Sequence, residues 1–355
     1  MTLIKFFMMA VILYVLVVFT GCKNDNGVIP TALDINYDAV YVVNGEDASL
    51  SIIEVASNTV KATIQLAGTS ANEIKWPHHI YLNPAKTKLA IGVPGIDLSG
   101  GHGGHGSDTS KGRIVILDAQ NGSILLNKIT PHINHNAIFS PDGSEIWSAM
   151  MSASGKVFMY SATTYLLKDS ITVGSQPSEV TFSADGSIAF VANGGSDDVT
   201  AINVSTKTVI TTLIVGANPV GAWTGTNNKM YVDNEEGMTI SVIDVASLQV
   251  EETVNLGFKP GFAAYNQQTD ELWVTDGDGG RVVYFHRMNN QWEMPSSIAV
   301  GAGAHAIAFT NDGSKAYITN QMANTVSVID VLTHTKIMDI PVGRKPNGLL
   351  IRYIN

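Results

Sequence analysis

The chain has 355 residues, 45% of them apolar and only 15% charged, so it carries enough material for a large core and is no disordered segment. Its formal net charge is -10 with no clustered Lys or Arg, which argues against nucleic acid as a partner. A single cysteine excludes an intrachain disulfide framework and a multi-thiolate zinc site.

The chain opens MTLIKFFMMAVILYVLVVFTGC. Lys5 gives a thin positive start, and Phe6 to Phe19 form an apolar run shorter than the ~20 residues that span a bilayer. This pattern predicts an export signal. The stretch "FTGC" resembles the bacterial lipoprotein box. The resemblance implies cleavage before Cys22 and lipidation of its thiol, each buried methylene of an acyl chain adding ~0.8 kcal/mol of membrane affinity. On this reading residues 1–21 are a signal peptide, 22–31 a polar tether and 32–355 the folded domain. That domain is then held at the membrane by its lipidated N-terminus, in the cell envelope outside the cytoplasm. In a double-membraned cell it is periplasmic or associated with the outer membrane. An uncleaved anchor with an incidental cysteine also puts the folded part outside the cytoplasm.

Beyond residue 31 one pattern recurs: an apolar strand ending in V-G or L-G, then a turn. Its glycines are Gly174, Gly216, Gly257, Gly301 and Gly343, at spacings of 42, 41, 44 and 42 residues. Four short segments fill each interval. After Gly301 they are "HAIAFT", "KAYITN", "TVSVIDV" and "KIMDIPV", with an Asp-Gly hairpin signal between the first two. Four short period-two strands make one blade of a propeller. Blade two starts at "HHIYLNP" and carries an insertion, Gly92 to Gly112, between its second and third strands. Blades three to seven start at "HNAIFSPDG", "SEVTFSADG", "VGAWTG", "GFAAYN" and "HAIAFTNDG". Blade one lacks a good first strand at the N-terminus, and "NGLLIRYI" at the C-terminus supplies one. The expected fold is therefore all-β: a seven-bladed β-propeller of four-stranded antiparallel blades, the first closed by the C-terminal strand.

The segments "VYVVN", "AFVAN" and "AYITN", with "TISVIDV" and "TVSVIDV", resemble the YVTN-type β-propellers, a group of secreted and surface-layer repeat proteins. The resemblance spans the whole chain after the export signal. It implies architecture and is nearly silent on chemistry.

The histidines are not spread evenly. Counting four residues back from the apolar residue that ends each first strand gives His78, His135, Ser178, Val220, Gly261, His305 and Asn347. First strands line the central channel, so these positions form a ring at one mouth, with His305, Asn347, His78 and His135 on one arc. His79 adjoins the ring, and His132 lies on the connection into blade three. The blade-two insertion brings His102 and His105 among glycines toward the same face, flanked by Asp97 and Asp108. Met150, Met151 and Met322 lie in corresponding loops. Converging imidazoles suit a transition metal, zinc or copper, and thioethers favour copper. The same histidines also fit acid-base or anion-binding work without metal, or ordinary drift among strand starts. His286 and His334 show no such convergence and read as surface or blade-edge residues. Trp76 and Trp223 stand near ring positions, where inter-blade packing explains them.

Three functions fit: an envelope-anchored module binding a protein or small molecule on its channel face, with or without a histidine-bound metal, a metalloenzyme or cofactor-handling protein using His78, His135 and His305, or a structural surface protein.

Overall fold

The computed structural model describes residues 33–66, 73–101, 111–288, 291–293 and 295–354. Cys22, His102, His105 and Asp108 lie outside the described residues. Every regular element among those described is a strand, and the strands form seven antiparallel sheets around a ring. Six sheets have four strands, and blade six adds a short hairpin strand, Gln291–Trp292. The blade-two insertion leaves the sheet after Lys88–Val93 and returns at Arg113–Asp118, as the spacing predicts.

The strand sequences explain the burial. Second and third strands sit between neighbouring blades, so both of their faces are covered. Lys315–Asn320 and Thr325–Asp330 are buried nearly throughout, while the fourth strand Thr335–Pro341 faces solvent. The third place of the second strand is aromatic in every blade but blade two: Tyr41, Trp147, Phe190, Tyr231, Trp273 and Tyr317, all fully buried. These rings wedge adjacent blades apart at a fixed spacing and supply much of the apolar burial, ~25 cal/mol per Å².

Two repeat signals turn out to be one contact. The Asn that ends a second strand donates to two polar groups of the third strand. Asn320 Nδ2 reaches Thr325 Oγ1 at 3.0 Å and Ser327 Oγ at 2.9 Å, and Asn44, Asn193 and Asn234 do the same. The glycine of the preceding blade packs flat on that Asn. A Cβ on Gly301 would stand 2.7 Å from the Asn320 Cβ, and Gly174, Gly216 and Gly343 meet Asn193, Asn234 and Asn44 in the same way. Gly301→Ala is therefore expected to destabilise by about 1–3 kcal/mol, against no measurable change for Gly100→Ala, where a Cβ meets nothing within 4 Å. Denaturant unfolding of the two variants checks this.

Closure follows the predicted scheme. Pro346–Arg352 pairs antiparallel with Ala39–Asn44, from Ala39 opposite Arg352 to Asn44 opposite Pro346. Asn347 then ties three blades at the mouth: its Nδ2 donates to the Pro77 carbonyl at 3.0 Å, and its Oδ1 accepts from Gln321 Nε2 at 2.6 Å.

Candidate metal centre in the channel

The first strands bring the predicted arc together. His78 and His79 precede the short strand Ile80–Leu82 and are fixed by backbone bonds to Gly92: His78 N–H to the Gly92 carbonyl at 2.9 Å, and Gly92 N–H to the His79 carbonyl at 3.1 Å. Glycine at 92 is needed here, because a Cβ would lie 2.6 Å from the His135 carbonyl of blade three. His135 precedes Ile138–Phe139, and His305 is the second residue of Ala304–Phe309.

All four imidazoles are buried, none more than 6% exposed. The His78 ring centroid lies 4.6 Å from His79, 4.2 Å from His135 and 5.2 Å from His305. His79 lies 4.6 Å from His135 and 5.7 Å from His305. Blades two, three and seven thus contribute to a single packed layer across the channel. Ligand-capable atoms of His78, His79 and His305 fall within 4.8 Å of one another, as do those of His79, His135 and Glu179.

Glu179 is the residue that counting ring positions passes over. It stands one place after Ser178 in blade four, the place that His79 fills in blade two. Its Oε2 is 3.3 Å from His135 Nδ1 and 4.0 Å from His79 Nε2, and its Oε1 accepts from the Tyr81 hydroxyl. Burial away from water pushes its carboxyl up to about 8 from the ordinary 4.5, despite the bonds from Tyr81 and Asn136, which act the other way. Asp233 of blade five, also fully buried, is raised well above the carboxylate range by burial, against the bonds it accepts from Trp223 Nε1 at 2.6 Å and the Gly221 N–H at 2.9 Å. An imidazole arc from blades seven, two and three therefore faces a carboxyl arc from blades four and five. Scanning the position after each ring slot as well would have found Glu179.

The other expected residues fall elsewhere. His132 is half-buried on the connecting bend, where its carbonyl accepts from the Gly112 N–H at 3.0 Å and the Thr130 hydroxyl at 2.7 Å. Met322 is 54% exposed, while Met150 and Met151 are buried. Asp97 accepts from the Lys345 ammonium, which also lies 5.5 Å from the Trp76 ring, anchoring the root of the blade-two insertion. Trp223 packs on Phe262 with ring centroids 3.7 Å apart.

Two cavities reach the layer. One, of about 270 Å³, lies where the first strands begin and is lined by His305, Gln321, Glu235, Lys259, Gly261 and Asp278. The other, about 340 Å³, lies where they end and is more apolar, with His79, Tyr81, Trp223, Phe262, Phe309 and Leu349 on its walls.

The molecule is thus a seven-bladed propeller whose channel is crossed by a layer of histidines. Residues 31–347 match the choice-of-anchor I domain, and the chain belongs to that family. No curated protein matches it. The periplasmic gluconolactonase of Pseudomonas aeruginosa is similar in structure, with a TM-score of 0.69, 16% identity, and coverage of 90% of this chain and 99% of the other. A functionally unknown protein from Desulfotomaculum acetoxidans gives a TM-score of 0.70 at 11% identity, covering 89% of this chain and 99% of the other. Kuenenia stuttgartiensis hydrazine synthase gives 0.62 at 15% identity, covering 77% and 88%. At these identities the likenesses show the fold alone.

Proposed function

We propose that the chain is a metal-dependent binding module of the cell envelope. His78, His79, His135 and His305 hold one copper or zinc ion in the channel, and the polar cavity beside His305 receives the ligand. The observation that carries this reading is the packing of four buried imidazoles from three blades, with the His78 and His79 ring centroids 4.2–5.7 Å from His135, from His305 and from one another. Four imidazoles suit either ion, and both are bound through neutral nitrogen. Glu179 Oε2 lies 3.3 Å from His135 Nδ1, where a carboxylate can orient that ring as outer carboxylates do in many histidine sites. The envelope location and the lipid on Cys22 are supported by the export signal and "FTGC". The family description and the periplasmic structural neighbour agree with that location.

Glu179 links the site to pH. In the metal-free chain its folded value, about 8, exceeds the ordinary 4.5, so the folded state holds a proton that the unfolded chain releases. The corresponding stability is fully present below pH 4.5 and is lost as pH rises toward 8. Glu179→Gln is expected to flatten that slope in thermal melts, leaving the part due to Asp233, whose shift has the same direction. With metal bound the dependence turns over: occupancy falls as pH drops below about 6.5, where imidazoles protonate. The same variant should weaken metal binding by roughly 10–100-fold, the usual cost of losing an outer-shell carboxylate. Binding isotherms for zinc and for copper on the full chain, compared between wild type and Glu179→Gln, test both statements.

A hydrolytic reading is favoured by one observation: the polar cavity ends on His305, so a bound ligand touches the imidazole layer. The gluconolactonase neighbour gives the substrate to try. Gluconolactone hydrolysis by the metal-loaded chain, abolished by His305→Ala and by a chelator, would favour enzyme over binding module.

A further inference from the structure

We propose that Glu271, His286 and His334 form a second metal site, for a zinc-class divalent ion, that ties blade six to blade seven away from the channel. The three side chains come from two blades. Glu271 opens the second strand of blade six, His286 stands opposite it on the third strand, and His334 lies in the last turn of blade seven. Oε1 of Glu271 meets His334 Nε2 at 2.7 Å and His286 Nδ1 at 3.1 Å.

The same place in blade three is an internal control. Glu145 opens its second strand in the same Glu-x-Trp setting, and Trp147 Nε1 donates to its Oε2 at 3.0 Å, as Trp273 Nε1 does to Glu271 Oε2 at 2.8 Å. Glu145 Oε1, however, is held by the ammoniums of Lys168 and Lys207. Lys207 and His334 fill equivalent turn positions, in "STKT" and "LTHT", both with left-handed φ of 57° and 51°. Around Glu271 imidazoles thus stand where ammonium groups stand around Glu145. Glu271 is fully buried, and a buried carboxylate needs a compensating charge. A divalent cation supplies that charge and uses the imidazole lone pairs, which lysine does not offer. Two histidines and one glutamate, with a further position open, are a known zinc donor set.

The surroundings are built for ligation. Trp273 and the Thr269 hydroxyl, both at 2.8 Å, occupy Oε2 and leave Oε1 to face the two rings. The His334 ring stacks on Tyr284 at 4.1 Å and 9°, which fixes its orientation. The His286 side chain is 51% exposed, so an ion can approach from solvent and keep a water. Asp330 adds negative charge beside His334.

The test is equilibrium dialysis of the full chain against zinc alone, with elemental analysis. Wild type should bind one equivalent more than His286→Ala/His334→Ala. His334→Lys, which rebuilds the arrangement at Glu145, should melt like metal-free wild type and lose the same equivalent. In His78→Ala/His135→Ala the blade-six equivalent should remain, so this site stands or falls apart from the channel. Should that channel variant fail to fold, a zinc-dependent rise in wild-type Tm that shrinks in His334→Lys supports the site equally, and an undiminished rise counts against it. Equal zinc content in wild type, His334→Lys and His286→Ala/His334→Ala would overturn the proposal. So would a folded channel variant that binds no zinc.

Discussion

Deleting residues 344–355 is expected to leave no soluble, monomeric propeller. The lost segment includes the strand Pro346–Arg352, the partner of Ala39–Asn44, whose residues are all fully buried. Five cross-strand pairs disappear, and an edge that faces the channel is left open. Each buried backbone group left unmatched costs on the order of 1–3 kcal/mol, so a handful equals the whole 5–15 kcal/mol that stabilises a typical domain. The deletion also removes Arg352, which donates to the Ile35 carbonyl at 2.9 Å and the Lys86 carbonyl at 2.9 Å, and Asn347 with its bonds to blades two and seven. Ordinary trimming of a terminus has no such effect. Gel filtration with a thermal melt decides the matter: aggregates or an unfolded chain are expected, and a monomer with an unchanged Tm would contradict ring closure by the C-terminal strand.

Alanine at His78, His79, His135 or His305 should weaken the channel metal by more than the roughly 100-fold that outer-shell losses cause, because on the proposed reading each removes a direct ligand. The metal-free chain should be affected less. Four imidazoles and the Glu179 carboxyl pack in one buried layer, and without the ion each alanine removes only the contacts its ring makes there. Each alanine therefore lowers the Tm of the metal-loaded chain by more than that of the metal-free chain. A purely structural histidine would lower both equally. Melts with and without one equivalent of copper or zinc separate the two cases.

The propeller is legible in the sequence because each blade repeats the same physics: a Val-Gly close approach, an Asn clamp and a period-two strand recur every forty-odd residues. Blade two departs from the pattern, and its hydrogen bonds to Gly92 still place His78 and His79 at the expected start of the first strand. Counting equivalent positions is enough to gather His78, His135 and His305. It misses Glu179 because only one slot per blade is compared, and Asp233 because that side chain comes from a second strand, where it accepts from the Gly221 N–H and Trp223 Nε1. His286 and His334 do lie near blade edges. Their convergence on Glu271 depends on contact between successive blades, which a reading within single repeats does not reveal.

The central claim is that imidazoles from three blades hold one ion in the channel. X-ray absorption spectroscopy on His286→Ala/His334→Ala loaded with one equivalent of zinc tests it most directly. A shell of at least three imidazole nitrogens at about 2.0–2.1 Å is expected, lost in His78→Ala. An all-oxygen shell, or no zinc retained after dialysis, would contradict it.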